Sequence, residues 1–166
     1  MLLAKDQKDD WNVSMTRLRL LLIACLIWLV PHAALAQSKP PYWASIGAGK
    51  ARMRTGPGQQ FPVVWFYQRA GLPVKVVATY PSWRKVEDPD GTQGWMQANL
   101  ISDTRTAIVV GDVRPMRDAP SEAARIVWRA APGVVCKITE CADGWCKFDV
   151  SGRIGFIATA HLWGVN

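Results

Sequence analysis

Two short stretches of the chain alternate apolar and polar side chains, PVKVV at residues 73–77 and VCKIT at residues 135–139. A period of two places one row of side chains on a core and the other in water, as in a half-buried β-strand. Turn signals follow each stretch: Pro81-Ser82 after the first and Ala142-Asp143-Gly144 after the second. A second hairpin turn then comes in each half, at Asp90-Gly91 and at Ser151-Gly152. Beyond residue 36 no stretch keeps a 3.6-residue period between capping signals, and residues 122–129 have room for about one helical turn. The pattern predicts an all-β protein of short strands.

The two halves also repeat each other. MRTGPGQQFPVV at residues 53–64 is answered by MRDAPSEAARIV at residues 116–127. Val64-Trp65 answers Val127-Trp128, Trp83-Arg84-Lys85-Val86 answers Trp145-Cys146-Lys147-Phe148, and Gly94-Trp95-Met96 answers Gly155-Phe156-Ile157. The correspondence is collinear, so each half is one copy of a structural unit. The expected architecture is two small β-barrels in tandem, about five strands each, with closure hiding the sheet edges. The boundaries are a linker at 37–46, a first unit at 47–104 and a second at 108–166. In the first loop, Gly56 and Gly58 are expected to supply positive φ around Pro57.

The N-terminal part has another character. Arg17 and Arg19 precede the uncharged apolar run LLLIACLIWLV at residues 20–30, and Ala34-Leu35-Ala36 follows. This order describes a secretory signal peptide, a helix over residues 1–36 removed between Ala36 and Gln37, with Met15 as an alternative start. The run falls short of the roughly 20 residues of a membrane span, and its contact with the membrane ends with cleavage. An uncleaved anchor and acylation of Cys25 in LIAC are the competing readings. Residues 1–36 hold four of the 20 Lys/Arg and three of the 13 Asp/Glu, so the exported remainder stays basic. Export, and the interleaving of charges with apolar residues, argue against nucleic acid as the partner. An anionic extracytoplasmic surface fits the charge better.

The phrase M-R-x-G-P-G, followed by G-L-P-V, W-R-K-V and D-G-x-x-G-W, resembles the bacterial SH3 (SH3b) domain. The second unit is similar with Ala119 in place of Gly56 and Phe156 in place of the Trp. Residues 143–162 also resemble the late half of eukaryotic SH3 domains. The resemblance implies two SH3-like barrels in the periplasm or cell envelope. It also implies modules that bind cell-wall peptidoglycan peptide or an envelope protein. In the eukaryotic resemblance the first Trp of the G-W-W phrase faces ligand, and Trp83 and Trp145 occupy that place.

Alternation adds to this. Trp83 and Lys85 share one side of their strand, opposite Val86, and Trp145 and Lys147 do the same opposite Cys146 and Phe148. An exposed Trp beside a Lys suits an extended peptide with carboxylates, or a glycan. The candidate ligand-binding residues are therefore Trp83, Lys85, Trp145, Tyr67 and Tyr80, with Trp65 beside them. Trp95 is expected to be structural. The first unit is the expected binder.

Catalysis is not expected. His161 is the one histidine beyond residue 36, and nothing pairs it with a thiolate and an orienting group. Cys136, Cys141, Cys146 and His161 lack the CxxC spacing of a zinc site, and no metal or other cofactor is expected. Cys141 and Cys146 flank a hairpin turn and can face each other, so a disulfide between them is expected in an oxidising compartment, with Cys136–Cys146 as the alternative. The functional expectation is a noncatalytic binding protein. The alternative is a structural or assembly protein of the envelope without a small ligand. Neither the partner nor the oligomeric state follows from these residues.

Overall fold

The computed structural model describes residues 39–165. The signal peptide, its cleavage point and Cys25 lie outside the described residues. The first sheet holds β1 (Tyr42–Ile46), β2 (Ala51–Arg54), β3 (Val63–Tyr67), β4 (Pro73–Tyr80), β5 (Trp83–Glu87), β6 (Gln93–Gln97) and β7 (Ile101–Ser102). The second holds β8 (Thr106–Val109), β9 (Arg114–Arg117), β10 (Ile126–Ala130), β11 (Val135–Ala142), β12 (Trp145–Val150), β13 (Arg153–Ala158) and β14 (Leu162–Trp163). The strand orders are β3-β2-β6-β5-β4-β1-β7 and β10-β9-β13-β12-β11-β8-β14, the same topology shifted by one unit. All pairings are antiparallel. Among the described residues the helical content is two single 3-10 turns, Ala98–Leu100 and Thr159–His161.

The linker expected at 37–46 is corrected in part. Residues 42–46 form β1, which pairs with β4 on one side and β7 on the other. Ala44, Ser45 and Ile46 are all buried, so this strand shows no alternation to read. Likewise β8 opens the second barrel at Thr106, before the expected boundary at 108.

Each barrel has its own core. Ile46, Met53, Val74, Val76, Val86 and Met96 fill the first, with Tyr67 at its edge. Met116, Cys136, Cys146, Phe148 and Ile157 fill the second. Burying a side chain of this size contributes roughly 1.5–3 kcal/mol. Both long strands slip register at one place, between Val76 and Ala78 in β4 and between Ile138 and Glu140 in β11. A bulge there bends the strand, which lets one strand serve both walls of a barrel.

The repeated opening phrase is a strand followed by a folded-back loop. In the first unit Thr55 N–H donates to Pro62 O, Gly58 N–H to Gly56 O and Phe61 N–H to Gly58 O. In the second, Asp118 N–H donates to Arg125 O, Ser121 N–H to Ala119 O and Ala124 N–H to Ser121 O. Arg54 Nη1 donates to Phe61 O at 2.7 Å, and Arg117 Nη1 to Ala124 O at 2.7 Å. The "M-R" of each phrase thus has a division of labour: Met enters the core, and Arg ties the loop to its own strand. Gly56 and Gly58 do not take positive φ. Gly56 lies under the Phe61 ring, where a Cβ would come within 2.5 Å of a ring carbon. The glycine of the "G-W" phrase answers another need. A Cβ on Gly94 would lie 2.5 Å from Met53 Cγ and 2.9 Å from Arg54 O, so its absence lets β2 and β6 pass closely.

Cys141 and Cys146 stand opposite each other across β11 and β12 and are joined as a disulfide. Cys136 is a buried thiol of the second core. Burial pushes its pKa well above the usual thiol range, which keeps it neutral and unreactive. The two barrels meet through Trp43 and Trp163, stacked edge to face at 4.7 Å, and through Arg69 Nη1, which donates to Gly133 O.

Candidate functional site

On β2 the sequence A-R-M-R turns Ala51 and Met53 inward and leaves Arg52 and Arg54 on the outer face. On β5 the core takes Val86, so Trp83 and Lys85 face outward. On β6 the inward positions are Gly94 and Met96, which leaves Trp95 and Gln97 outside. Register then assembles one surface. Trp83 lies opposite Gln97, Lys85 opposite Trp95, and Arg54 opposite Trp95 from the other side. The folded-back loop and β3 overhang this surface with Gln59 and Phe66.

The result is a groove of about 420 Å³. Lys50, Arg52 and Arg54 form its basic side, with Gln59, Gln97, Phe66, Trp83 and Leu100 completing it. No carboxylate lines it. The salt bridges among the described residues, Arg114–Asp112, Arg117–Glu122 and Arg125–Asp118, all belong to the second barrel. Arg52 lies 5.6 Å over the Phe66 ring, a cation–π contact that uses no hydrogen-bond acceptor. Two acids of the first barrel are occupied at the far end of β5: Glu87 accepts from Gln93 Nε2, and Asp88 accepts from Tyr67 Oη and two backbone N–H groups. The length of β5 separates them from Trp83, roughly 13 Å.

The expected site residues fall into three places. Trp83 lines the groove, but as a largely buried side chain, 8% exposed, and not as a projecting one. Lys85 shares its face outside the groove's edge. Tyr80 stands opposite Trp83 in register, is 56% exposed and meets Trp95 edge to face. Trp95, expected to be structural, is half-buried on the outer surface because Met96 takes the inward position. Tyr67 is not part of the surface either. It is buried in the first core and donates to Asp88 Oδ2 at 2.7 Å. Desolvation, and then the neighbouring Asp88, push its phenol well above the usual range. Trp145 is half-buried on the matching face of the second barrel, opposite Ala142 and Ala158.

The cations of the groove, and Gln59, Phe66, Gln97 and Leu100, escaped the sequence reading. A signal was present in the alternation A-R-M-R, which puts two arginines on the face away from the core.

The second barrel's counterpart is chemically different. By the internal repeat, Val113 stands for Lys50, Pro115 for Arg52 and Glu122 for Gln59. Arg117 stands for Arg54, and its Nη2 donates to Glu122 Oε2 at 2.9 Å. The charge of that arginine is met from within the barrel.

Residues 47–103 and 110–164 each match the bacterial SH3 domain model, every match beginning one strand into its barrel. Similar solved structures include NlpC1 from Trichomonas vaginalis, 14% identical over 78% of this chain and 48% of that one, with a TM-score of 0.35. NlpC2 from the same organism is 14% identical over 76% and 49%, with a TM-score of 0.34. An NlpC/P60 family protein from Bacillus cereus is 12% identical over 73% and 55%, with a TM-score of 0.33. The chain spans about half the length of these structures. No curated protein matches it. With one matched segment in each of its two barrels, together more than half its length, the chain belongs to the bacterial SH3 domain family.

Proposed function

We propose that this protein is a noncatalytic binding module of the periplasm or cell envelope that holds cell-wall peptide in the groove of its first barrel. The observation that carries the reading is the groove itself: an indole floor at Trp83 beside three cations that no carboxylate of the described residues neutralises. A disulfide between Cys141 and Cys146 fits an oxidising compartment outside the cytoplasm. The groove offers recognition chemistry: flat apolar surface, cationic donors and two amides.

The test is retention on purified cell-wall sacculi. Trp83→Ala is expected to weaken retention by on the order of 2 kcal/mol, as for an anchor in a desolvated pocket, with Trp145→Ala having little effect. Because Trp83 is largely buried, a thermal melt accompanies the assay. Equal retention of a folded Trp83→Ala variant would remove the groove from the function. The alternative, an assembly protein without a small ligand, is favoured by the exposed apolar run Val63–Phe66 on the edge strand β3. It predicts no retention on sacculi at all.

A further inference from the structure

We propose that the first-barrel groove selects a peptide bearing two carboxylates on one side of an extended backbone, an inference that rests on the groove being the binding site. Arg52 and Arg54 are two residues apart on β2, so their side chains leave the strand about 6.5–7 Å apart on one face. Carboxylates at alternate positions of an extended peptide repeat at the same spacing. Arg54 gives one guanidinium nitrogen to Phe61 O and keeps the rest of its fork. Arg52 rests over the Phe66 ring, and among the described residues its N–H groups meet no acceptor. A planar fork fixed by a ring contact is suited to a planar carboxylate. Lys50 extends the positive side as a mobile point charge.

The uncharged lining of the groove decides between kinds of anion. Gln59 and Gln97 offer amide carbonyls as well as N–H donors, and Trp83 offers an apolar floor. A peptide supplies backbone N–H groups for those carbonyls and a side chain for the indole. A phosphate polymer supplies neither. The second barrel marks the same preference by contrast, since its equivalent arginine already holds a carboxylate, that of Glu122, at 2.9 Å. A carboxylate at this position is thus a geometry the fold accommodates.

Carboxylates of this kind come from wall peptide or from an acidic segment of an envelope protein. The test uses the capped peptide Ala-Glu-Ala-Glu-Ala, its Gln isostere and inorganic triphosphate, titrated against the protein by calorimetry at about 0.02 M and about 0.5 M salt, where screening differs strongly. The Glu peptide is expected to bind at least about 10-fold more tightly than the Gln peptide, the difference shrinking at high salt. Arg52→Gln, an exposed position, is expected to remove most of that preference without changing the melting temperature. Equal binding of the two peptides, or an unchanged preference in Arg52→Gln, would overturn the proposal. So would displacement of the Glu peptide by triphosphate at lower concentration than the peptide itself, which would point to a phosphate ligand. Native and carboxyl-amidated sacculi separate the sources. Retention lost on amidation supports the proposal with the wall as source. Peptide binding without retention keeps it and assigns an acidic protein segment, overturning the wall reading. Retention that depends on Trp83 and survives amidation leaves the groove as the site and overturns the carboxylate.

Discussion

The two barrels share every strand, the backbone hydrogen bonds of the opening loop and the arginine that ties it down, yet they divide aromatic bulk and charge differently. In the first core Tyr67 on β3 stands beside the small Val86 on β5; in the second the same positions are Ala130 and Phe148. The large ring stands on the edge strand in one core and on the central strand in the other. The polar consequence is local. Tyr67 brings a hydroxyl that needs a partner and finds it in Asp88, whereas Phe148 needs none. On the outer face the same freedom allows Lys50, Arg52 and Gln59 in one barrel and Val113, Pro115 and Glu122 in the other. A fold held from within leaves its outer residues open to specialise.

The largest effects are expected where the barrels are most alike. Met96 and Ile157 occupy one position of the repeat, and both are fully buried. Met96→Ala and Ile157→Ala are each expected to cost about 2–5 kcal/mol, measured by denaturant unfolding. Similar losses would confirm equivalent cores. If Met96→Ala were nearly neutral, the first barrel would be the looser of the two, and its groove would owe less to a rigid support.

A smaller effect is expected where the cores differ. Tyr67→Phe removes a donor from Asp88, which keeps its two backbone N–H partners, so the loss at neutral pH should be about 1 kcal/mol. The pH dependence carries a sign. The folded state holds the Tyr67 proton more tightly than the unfolded chain does. Below the usual phenol value of about 10 both states are protonated and the contribution is complete. Above it the unfolded chain releases the proton first, and stability falls as pH rises. Thermal melts of the parent and Tyr67→Phe between neutral pH and pH about 11 should therefore converge at the alkaline end. Parallel curves would show that Tyr67 ionises as readily folded as unfolded.

Particular residues show how much of this was legible from the chain. The repeat, the all-β class and the hairpin that pairs Cys141 with Cys146 were, because alternation and turn residues are local signals. So was the shared face of Trp83 and Lys85. The burial of Trp83 was not, since residues that line the groove with it come from β2, β3 and the loop between them, all distant in sequence. Tyr67 was misplaced for a different reason. V-V-W-F-Y has no polar member, and four of its five residues are exposed on an edge strand, so periodicity assigns no face. The strand in residues 42–46 was hidden by burial on consecutive positions. The cations of the groove were readable one at a time, but their convergence is a property of register between β2 and β6.

The smallest effect on stability is also the sharpest test of the contrast between the barrels. Gln59→Glu would give the first groove the acid that the second already has. The introduced carboxylate would then be placed to pair with Arg54 as Glu122 pairs with Arg117, and an exposed pair of this kind adds only about 0–1 kcal/mol. The melting temperature should barely move. Binding should respond more, because a resident carboxylate competes with the ligand's own and lowers the positive potential of the groove. The affinity for the Glu peptide is expected to fall about 3- to 10-fold, and more at low salt than at high. The reciprocal change, Glu122→Gln, releases Arg117 but leaves Val113 and Pro115 where the first barrel has Lys50 and Arg52. It should create little affinity in the second barrel. If Glu122→Gln alone brought acidic-peptide binding to the second barrel, one arginine would suffice and the extra cations of the first groove would be incidental. If Gln59→Glu left affinity untouched, Arg54 would not contact the ligand, and recognition would pass to Arg52 and Lys50.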